Sequence, residues 1–142
     1  MGQPAARAAW ARRSSFEFVI EERATGRIVG MTSLHRIDWT RRCAGIGYWV
    51  RRSVWSRGYA TEAARAVLAY AFETLGYEEL EGGARVSNPA SRRVLEKCGY
   101  VWTGVILMPV RALGASVPAD RFRLDRSRWA THKDKKTSRR KA

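Results

Sequence analysis

The hydrophobic period of the sequence changes between residues 50 and 60. Before this point, residues 43–50 (Cys-Ala-Gly-Ile-Gly-Tyr-Trp-Val) are rich in β-branched and aromatic side chains, which favours a strand. After it, apolar side chains recur at positions 60, 64, 67, 68, 71 and 75, which is the spacing of one helix face. Gly76 then supplies a residue suited to the left-handed end of a helix. The sequence therefore predicts a strand, a short turn and an amphipathic helix, in that order.

The turn of this strand–turn–helix junction has the composition of an anion site. Gly58 permits a positive φ or the close approach of a ligand to the backbone, and Arg51, Arg52 and Arg57 flank it. The first N–H groups of a helix are unpaired and lie at the positive end of its dipole. Residues 54–68 therefore predict a phosphate cradle. The alternative is an ordinary connection whose arginines are solvated.

Length and composition indicate one globular domain with a core of its own. The chain has 142 residues, of which 45% are hydrophobic and 28% charged. No apolar run approaches the roughly 20 residues that span a bilayer, and the N-terminus has no apolar signal segment, so we expect a cytoplasmic protein with no membrane partner. Cys43 and Cys98 occur without CxxC spacing or a histidine cluster, which predicts free thiols and no metal site.

The positive charge is concentrated towards the chain ends. The net charge is +14, and residues 131–142 carry six basic side chains and one acidic. This segment has no apolar periodicity and is predicted to be a basic disordered tail. Such a tail either improves solubility or contacts RNA or the ribosome electrostatically.

The first half of the chain predicts three consecutive strands. Residues 16–22 and 27–37 have strand patterns joined by a glycine turn, and 43–50 follows after a polar connection, so an antiparallel meander is expected. Residues 5–14 have high helix propensity and predict a short N-terminal helix with Trp10 as its one large apolar residue.

The second half predicts a short helix between further strands. Asn88 is a good N-cap, Pro89 suits the first helical position and Gly99 suits the end of the helix. The resulting fold class is α/β or α+β. The predicted domain runs over 16–130, between a helical remnant at 1–15 and the tail. Its later strands are predicted at 77–86, 100–108 and 120–129, with a loop at 109–119.

Four motifs in this order resemble the GCN5-related N-acetyltransferase (GNAT) superfamily, and within it the RimJ/RimL-like branch of ribosomal-protein N-terminal acetyltransferases. They are residues 46–50, 55–63, 88–100 and 120–129. The resemblance implies a mixed, mostly antiparallel sheet with flanking helices. Family members carry a strand and two helices before the strand at 16–22, so the chain is expected to lack the first strand and most of the first two helices.

The resemblance also implies acetyl-CoA as cofactor and a cofactor site. The pyrophosphate loop of the family falls on the cradle, the strand before it would pair with the pantetheine arm, Asn88 would contact that arm, and two arginines of the second helix would reach phosphates. The candidate cofactor-binding residues are Tyr48, Trp49, Val50, Trp55, Ser56, Arg57, Gly58, Tyr59, Ala60, Thr61, Asn88, Arg92 and Arg93.

Candidate catalytic residues follow from the same resemblance. Many members carry a tyrosine acid where this chain has Leu95, and Ser91 lies where the RimL-like branch places a hydroxyl partner for the departing thiolate; the alternative for Ser91 is a hydroxyl that satisfies backbone N–H groups. The branch often carries a glutamate base at the position of Gly45. His35 is the candidate base here, with Asp38 and a water chain as alternatives.

Two classes of function remain open. The first is transfer of an acetyl group from acetyl-CoA to an amine acceptor, either a protein N-terminus or a small molecule, by a chain that is complete or completed as a homodimer. The second is a truncated, inactive CoA-binding remnant or a basic module associated with RNA or the ribosome.

Overall fold

The computed structural model describes residues 15–141, and their side chains as far as residue 133. The predicted helix at 5–14 lies outside the described residues. The chain divides into two compact units, with the boundary between Glu78 and Glu79. The two units are described separately below.

The first unit begins with the predicted antiparallel meander, which is confirmed. Its strands are β1 (Phe16–Glu21), β2 (Ile28–Asp38) and β3 (Cys43–Val50). In the register of the strands, Phe16 lies opposite Leu34, and Leu34 lies opposite Ile46. All three side chains are buried, so they define the core face of this part of the sheet.

Helix α1 (Tyr59–Ala69) covers the core face and begins within one residue of its predicted start. Its buried side chains include Val67 and Leu68, and it packs on β2 and β3. A π-helical turn, Tyr70–Thr74, extends α1. The predicted stop at Gly76 is confirmed, since this glycine has φ +72°.

The second unit is an antiparallel sheet with two helices. The strand order is β4-β6-β5, and helix α2 packs on β4. Leu80, Leu95, Phe122 and Leu124 are almost completely buried and form its core. Its elements are β4 (Glu79–Arg85), α2 (Pro89–Lys97), β5 (Val101–Val110), β6 (Ala115–Asp125) and α3 (Arg126–Lys141). These elements and the meander confirm the mixed α/β class with mostly antiparallel strands.

Two segments of the second unit differ in the structure from what the sequence predicts. The loop predicted at 109–119 is a tight connection, because β5 continues to Val110 and Gly114 reverses the chain with φ +61°. The strand predicted at 120–129 ends at Asp125, where α3 begins. The Asp125 carboxylate accepts the N–H of Arg128 at 2.7 Å, which is the geometry of an N-terminal cap and explains why a helix replaces the end of the strand.

Helix α3 continues to Lys141, through the segment for which the sequence predicts a disordered tail. Lysine and arginine are good helix formers, and a helix that has already begun extends at little cost. The boundaries of the predicted domain at 16–130 stay a prediction. Both cysteines are free thiols, as predicted. Within residues 15–141, no helix combines the length and the apolar character needed to cross a membrane.

Candidate functional site

The connection from β3 to α1 contains two residues with positive φ. A 3-10 turn, Arg52–Val54, follows β3, and then Ser56 (φ +69°) and Gly58 (φ +79°) lead into Tyr59, the first residue of α1. Gly58 is the N-cap, and no side-chain hydrogen bond from the described residues caps the helix. A Cβ placed on Gly58 would meet no described atom within 4 Å.

The first turn of α1 therefore follows a glycine beside open space and begins with backbone N–H groups that no intrahelical hydrogen bond uses. The N–H groups of Tyr59, Ala60 and Thr61 precede the first intrahelical hydrogen bond, which runs from Glu62 to the Gly58 carbonyl at 3.0 Å. They combine with the helix dipole and with a turn of positive φ, a geometry that can hold an anion such as a phosphate group.

Trp55 closes the loop before the helix. Its indole Nε1 donates a hydrogen bond to the Val50 carbonyl at 2.7 Å, and the Arg52 guanidinium lies 5.4 Å from the centre of the indole ring. Arg52 is thereby stacked on a tryptophan that is 58% exposed. Two of the candidate cofactor-binding residues, Val50 and Trp55, thus hold this loop closed.

A carboxylate that the sequence does not single out, Glu22, also organises this junction. It accepts hydrogen bonds from the Tyr59 hydroxyl at 2.8 Å and the Thr25 hydroxyl at 2.8 Å, and Arg57 approaches it at 3.4 Å. The hydrogen bonds from Thr25 and then Tyr59, together with the charges of Arg57 and Arg27, lower the pKa of Glu22. The Arg57 guanidinium is therefore directed at Glu22.

The candidate base His35 is a residue of β2, and its side chain lies over the neighbouring strand β3. It is opposite Gly45 in the register, and a Cβ on Gly45 would come within 2.9 Å of the His35 Nε2. Ser33 Oγ lies 3.5 Å from the His35 Nδ1. Burial, and next the charge of Arg36, lower the pKa of His35, so the neutral imidazole is favoured at neutral pH.

The alternative base and the rest of β3 have distinct surroundings. The Asp38 Oδ1 accepts the N–H of Arg41 at 2.9 Å, which places this carboxylate in the turn between β2 and β3. Tyr48 lies opposite Thr32, and Trp49 lies opposite Met31 with 53% of its surface exposed. Successive residues of a strand point to opposite faces, so Tyr48 and Trp49 lie on different sides of β3.

The second unit holds the remaining candidates on helix α2. The predicted N-cap is confirmed, because the Asn88 Oδ1 accepts the N–H of Ser91 at 3.2 Å and Pro89 is the first helical residue. Ser91 is half-buried in the first turn. Leu95, which stands at the position of the family's tyrosine, is 1% exposed and belongs to the core.

The two candidate arginines of α2 differ in their surroundings. Arg92 donates from Nε to Glu96 at 2.8 Å and lies 3.6 Å from the Asp120 carboxylate; the hydrogen bond to Glu96 raises the pKa of Arg92. Asp120 is buried and also accepts from the Trp102 indole at 2.8 Å. Arg93 is exposed. Arg92 is therefore held by carboxylates, although the sequence predicts it as a phosphate ligand.

The structure thus brings the candidates together in two groups. The cradle, β3 and His35 belong to the first unit, whereas Asn88, Ser91, Arg92 and Arg93 belong to the second. Glu22 and Asp120 are the carboxylates that sequence reasoning missed, and no local motif marks either of them. Among the described residues, no three His, Cys, Asp or Glu side chains are placed to hold a metal ion.

Comparison with known proteins identifies the class. Residues 3–101 match the family model described as Acetyltransferase (GNAT) domain, which covers more than half of the chain. The chain therefore belongs to the GNAT acetyltransferase family, in its RimJ/RimL-like branch. This confirms the resemblance predicted from the sequence.

Individual relatives share about half of their length with the chain. YdaF of Bacillus subtilis is 39% identical over 79 residues, which are 56% of this chain and 43% of YdaF. The ribosomal-protein-serine acetyltransferase of Escherichia coli is 27% identical over 79 residues, which are 56% of this chain and 44% of that protein. The structure of Mycobacterium smegmatis RimJ in complex with CoA-disulfide superimposes with a TM-score of 0.79 at 28% identity, over 87% of this chain and 58% of RimJ. The chain spans about half the length of the curated relatives it matches.

Proposed function

We propose that this protein transfers the acetyl group of acetyl-CoA to a primary amine, either a protein N-terminus or a small amine. The observation that carries the proposal is the uncapped first turn of α1, where Gly58 has positive φ and the space above it is open. Such a turn can bind a phosphate-bearing cofactor, and the family to which the chain belongs uses acetyl-CoA.

The backbone of the β3–α1 junction is the proposed phosphate site. The N–H groups of Tyr59, Ala60 and Thr61 would donate to the pyrophosphate, and Ser56 and Gly58 shape the turn that aims them. Bound acetyl-CoA supplies an acyl group activated as a thioester. Because Arg57 and Arg52 are engaged with Glu22 and Trp55, the main chain is the principal donor in this proposal.

His35 is the proposed base that removes a proton from the amine. Its neutral imidazole is favoured by burial, and it lies over Gly45, the position at which the branch often carries a glutamate. A glycine at 45 leaves the space that the imidazole occupies. The imidazole thus stands on the same strand face as a side chain of residue 45 would, which supports its assignment as the functional substitute.

Ser91 is the proposed donor to the departing thiolate. Asn88 fixes the first turn of α2 through the N–H of Ser91, so the position of the Ser91 main chain is held independently of its hydroxyl. Asn88 would additionally contact the pantetheine arm.

The proposal also covers the acceptor of the acetyl group and the place where the protein meets it. A ribosomal-protein acetyltransferase is among the relatives, which supports a protein N-terminus as acceptor. The six basic residues within 131–142 would favour contact with ribosomal RNA in the cytoplasm by a salt-sensitive electrostatic attraction.

Titration calorimetry with acetyl-CoA tests the cradle directly. We expect micromolar binding by the wild-type chain and an affinity at least about tenfold weaker in Gly58→Glu, because a carboxylate would enter the phosphate site. Gly114→Glu is the matched control, since Gly114 also has positive φ (+61°) and no described atom within 4 Å of an added Cβ, but it lies in the β5–β6 turn. Both substitutions place a side chain on a residue with positive φ, so they strain the backbone to a similar degree.

Equal affinity in wild type and Gly58→Glu would overturn the cradle assignment. An equal loss of acetyl-CoA affinity in both variants would show that backbone strain causes the loss, rather than a carboxylate in the phosphate site. Thiol release from acetyl-CoA in the presence of an N-terminal peptide or a polyamine then tests the transfer and separates the two acceptor classes. A folded chain that binds acetyl-CoA and releases no thiol with either acceptor would contradict the proposed transfer.

A further inference from the structure

Strand β2 contains a bulge next to the proposed base. The pairing of β2 with β3 shifts register between His35 and Asp38, and Arg36, within the bulge, has φ +50°. A positive φ is uncommon for a residue other than glycine, and it costs free energy unless the surrounding structure compensates for it. A bulge also redirects the side chains of its strand. The bulge therefore sets the direction of the Arg36 side chain.

The bulge brings the side chains of Arg36 and His35 to one spot. Consecutive residues of a regular strand point to opposite faces of the sheet. Here both side chains reach Gly45 of β3, because a Cβ placed on Gly45 would lie 2.9 Å from the His35 Nε2 and 3.2 Å from the Arg36 Nη2. The guanidinium and the imidazole thus lie over the same glycine.

A second glycine of β3, Gly47, keeps this part of the strand free of larger side chains. A Cβ placed on Gly47 would lie 3.3 Å from both the Ser33 Oγ and the His35 Cε1. Ser33, His35 and Arg36 therefore line one strip over β3, with a hydroxyl, an imidazole and a guanidinium in that order. All three groups form hydrogen bonds, and the guanidinium carries a permanent positive charge.

Arg36 has no anionic partner among the described residues, unlike another arginine with a positive φ. Arg42 (φ +56°) lies 3.5 Å from the Glu78 carboxylate, and its carbonyl accepts the Glu78 N–H at 2.7 Å, so a structural contact accounts for its conformation. Arg36 is exposed and forms no ion pair with a described side chain. Its charge is therefore available to a ligand.

We propose that Arg36 binds an anionic group of the acceptor, so that the preferred acceptor is an amine with a carboxylate a few bonds from its nitrogen. This inference rests on the proposed acetyl transfer with His35 as the base. The imidazole accepts a proton from the amine while the guanidinium holds the carboxylate with charge-assisted hydrogen bonds. One small acceptor can meet both groups, since both reach the same point over Gly45.

The charge of Arg36 distinguishes between classes of acceptor. A guanidinium attracts a carboxylate and repels an ammonium group, and a polyamine carries ammonium groups alone. This charge is also opposite in sign to that of the glutamate that the RimJ/RimL-like branch often carries at the position of Gly45. The carboxylate of the acceptor is either the α-carboxylate of a free amino acid or an acidic side chain close to a peptide N-terminus.

Nuclear magnetic resonance of the His35 imidazole measures acceptor binding without acetyl transfer. Two matched pairs of probes, titrated with CoA in excess, separate the two sources of the carboxylate. Alanine is compared with alaninamide, and the peptide amide Ala-Glu-Ala with Ala-Gln-Ala. In at least one pair we expect the member with the additional carboxylate to bind at least about tenfold more tightly. Selectivity in the alanine pair identifies a free amino acid, and selectivity in the peptide pair identifies an acidic peptide.

Substitution of Arg36 tests whether this residue is the source of the selectivity. Arg36→Gln should lower the affinity ratio of the selective pair towards one, Arg36→Lys should restore part of it, and Arg41→Gln, in the β2–β3 turn, should keep it within about twofold of the wild type. The titrations are run at about pH 8, where the imidazole is neutral. Thermal unfolding verifies that each variant is folded. Arg36→Asn replaces Arg36→Gln if the latter does not fold, because asparagine tolerates a positive φ.

Three results would overturn the inference. The first is a wild-type chain that binds neither carboxylate probe, or binds each no more tightly than its amide. The second is a selectivity that Arg36→Gln or Arg36→Asn leaves unchanged. The third is release of thiol from acetyl-CoA with equal efficiency for both members of each pair, which would support the transfer while removing the anion site. Charge-selective binding without any thiol release would instead support the anion site and contradict the proposed transfer.

Discussion

The hydroxyl of Tyr59 donates a hydrogen bond of 2.8 Å to the Glu22 carboxylate, and so ties the first residue of α1 to the turn that follows β1. The two residues are 37 positions apart in the chain. Arg57 approaches the same carboxylate oxygen at 3.4 Å. Glu22 thereby orients the start of the helix whose N–H groups form the proposed phosphate site.

Removal of the Tyr59 hydroxyl eliminates its hydrogen bond to Glu22 and should destabilise the protein. We expect Tyr59→Phe to lower the free energy of unfolding by about 1 kcal/mol, the net worth of a typical hydrogen bond. Urea unfolding measures the change. Tyr70→Phe is the control, because the Tyr70 ring packs edge-on against Phe16 and Phe18 and these contacts survive the change. Equal effects of the two substitutions would show that the Glu22 contact contributes nothing specific.

The same carboxylate should make stability depend on pH. The pKa of Glu22 is lowered in the folded state from its ordinary value of 4.5, so its contribution is fully present above that value and is lost as the pH falls through the lower, folded-state pKa. The difference in unfolding free energy between wild type and Glu22→Gln should therefore shrink below pH 4.5. Urea unfolding of both proteins from neutral pH to about pH 3 measures the difference. A difference independent of pH would contradict the assignment.

The titration of His35 should respond to Arg36. The positive charge of Arg36 helps to lower the pKa of His35, so Arg36→Gln should raise this pKa towards 6.5, while the burial that dominates the shift remains. Nuclear magnetic resonance titration of the imidazole measures the change, and Arg41→Gln is the control. If His35 is the base, the acid limb of the rate profile moves to higher pH in Arg36→Gln. A shifted His35 titration without a shifted rate profile would assign the base to another group.

Two substitutions separate the structural role of Asn88 from its proposed contact with the cofactor. Asn88→Ala removes the cap and should cost about 1 kcal/mol of stability, whereas Asn88→Asp keeps the accepting oxygen and should preserve stability. Asp lacks the amide donor of Asn and adds a negative charge. Weaker acetyl-CoA binding in the stable Asn88→Asp variant, measured by calorimetry, would support a cofactor contact. Unchanged affinity would limit Asn88 to the cap.

Features that depend on near neighbours in the chain could be predicted from the sequence. The glycine turn before α1, the stop at Gly76 and the Asn88–Pro89 start of α2 each rest on the conformational preference of one or two residues. The three-strand meander could be predicted from apolar periodicity. A strand that buries one face has apolar side chains at alternate positions, and this pattern can be read from near neighbours in the chain. The family resemblance supplied Ser91 and His35 as candidates in addition to these local signals.

The local rules failed where two local preferences competed. The sequence suggested a strand at 120–129 and a basic disordered tail at 131–142, whereas Asp125 caps a helix that runs over 126–141. The cap at Asp125 depends on the direction in which the chain leaves β6. The hydrophobic periodicity of the sequence gives no information about that direction.

The sequence by itself determined the order of the elements from β1 to β6 and the family, because periodicity, turns and caps are encoded within a few residues. Only the tertiary structure placed Glu22 against Tyr59, His35 over Gly45 and Arg92 beside Asp120. The reason is that each of these contacts joins residues at least ten positions apart, and it exists only after strand register and helix packing have brought them together. Hydrogen bonding and electrostatics then decide which charged side chains remain available to a ligand.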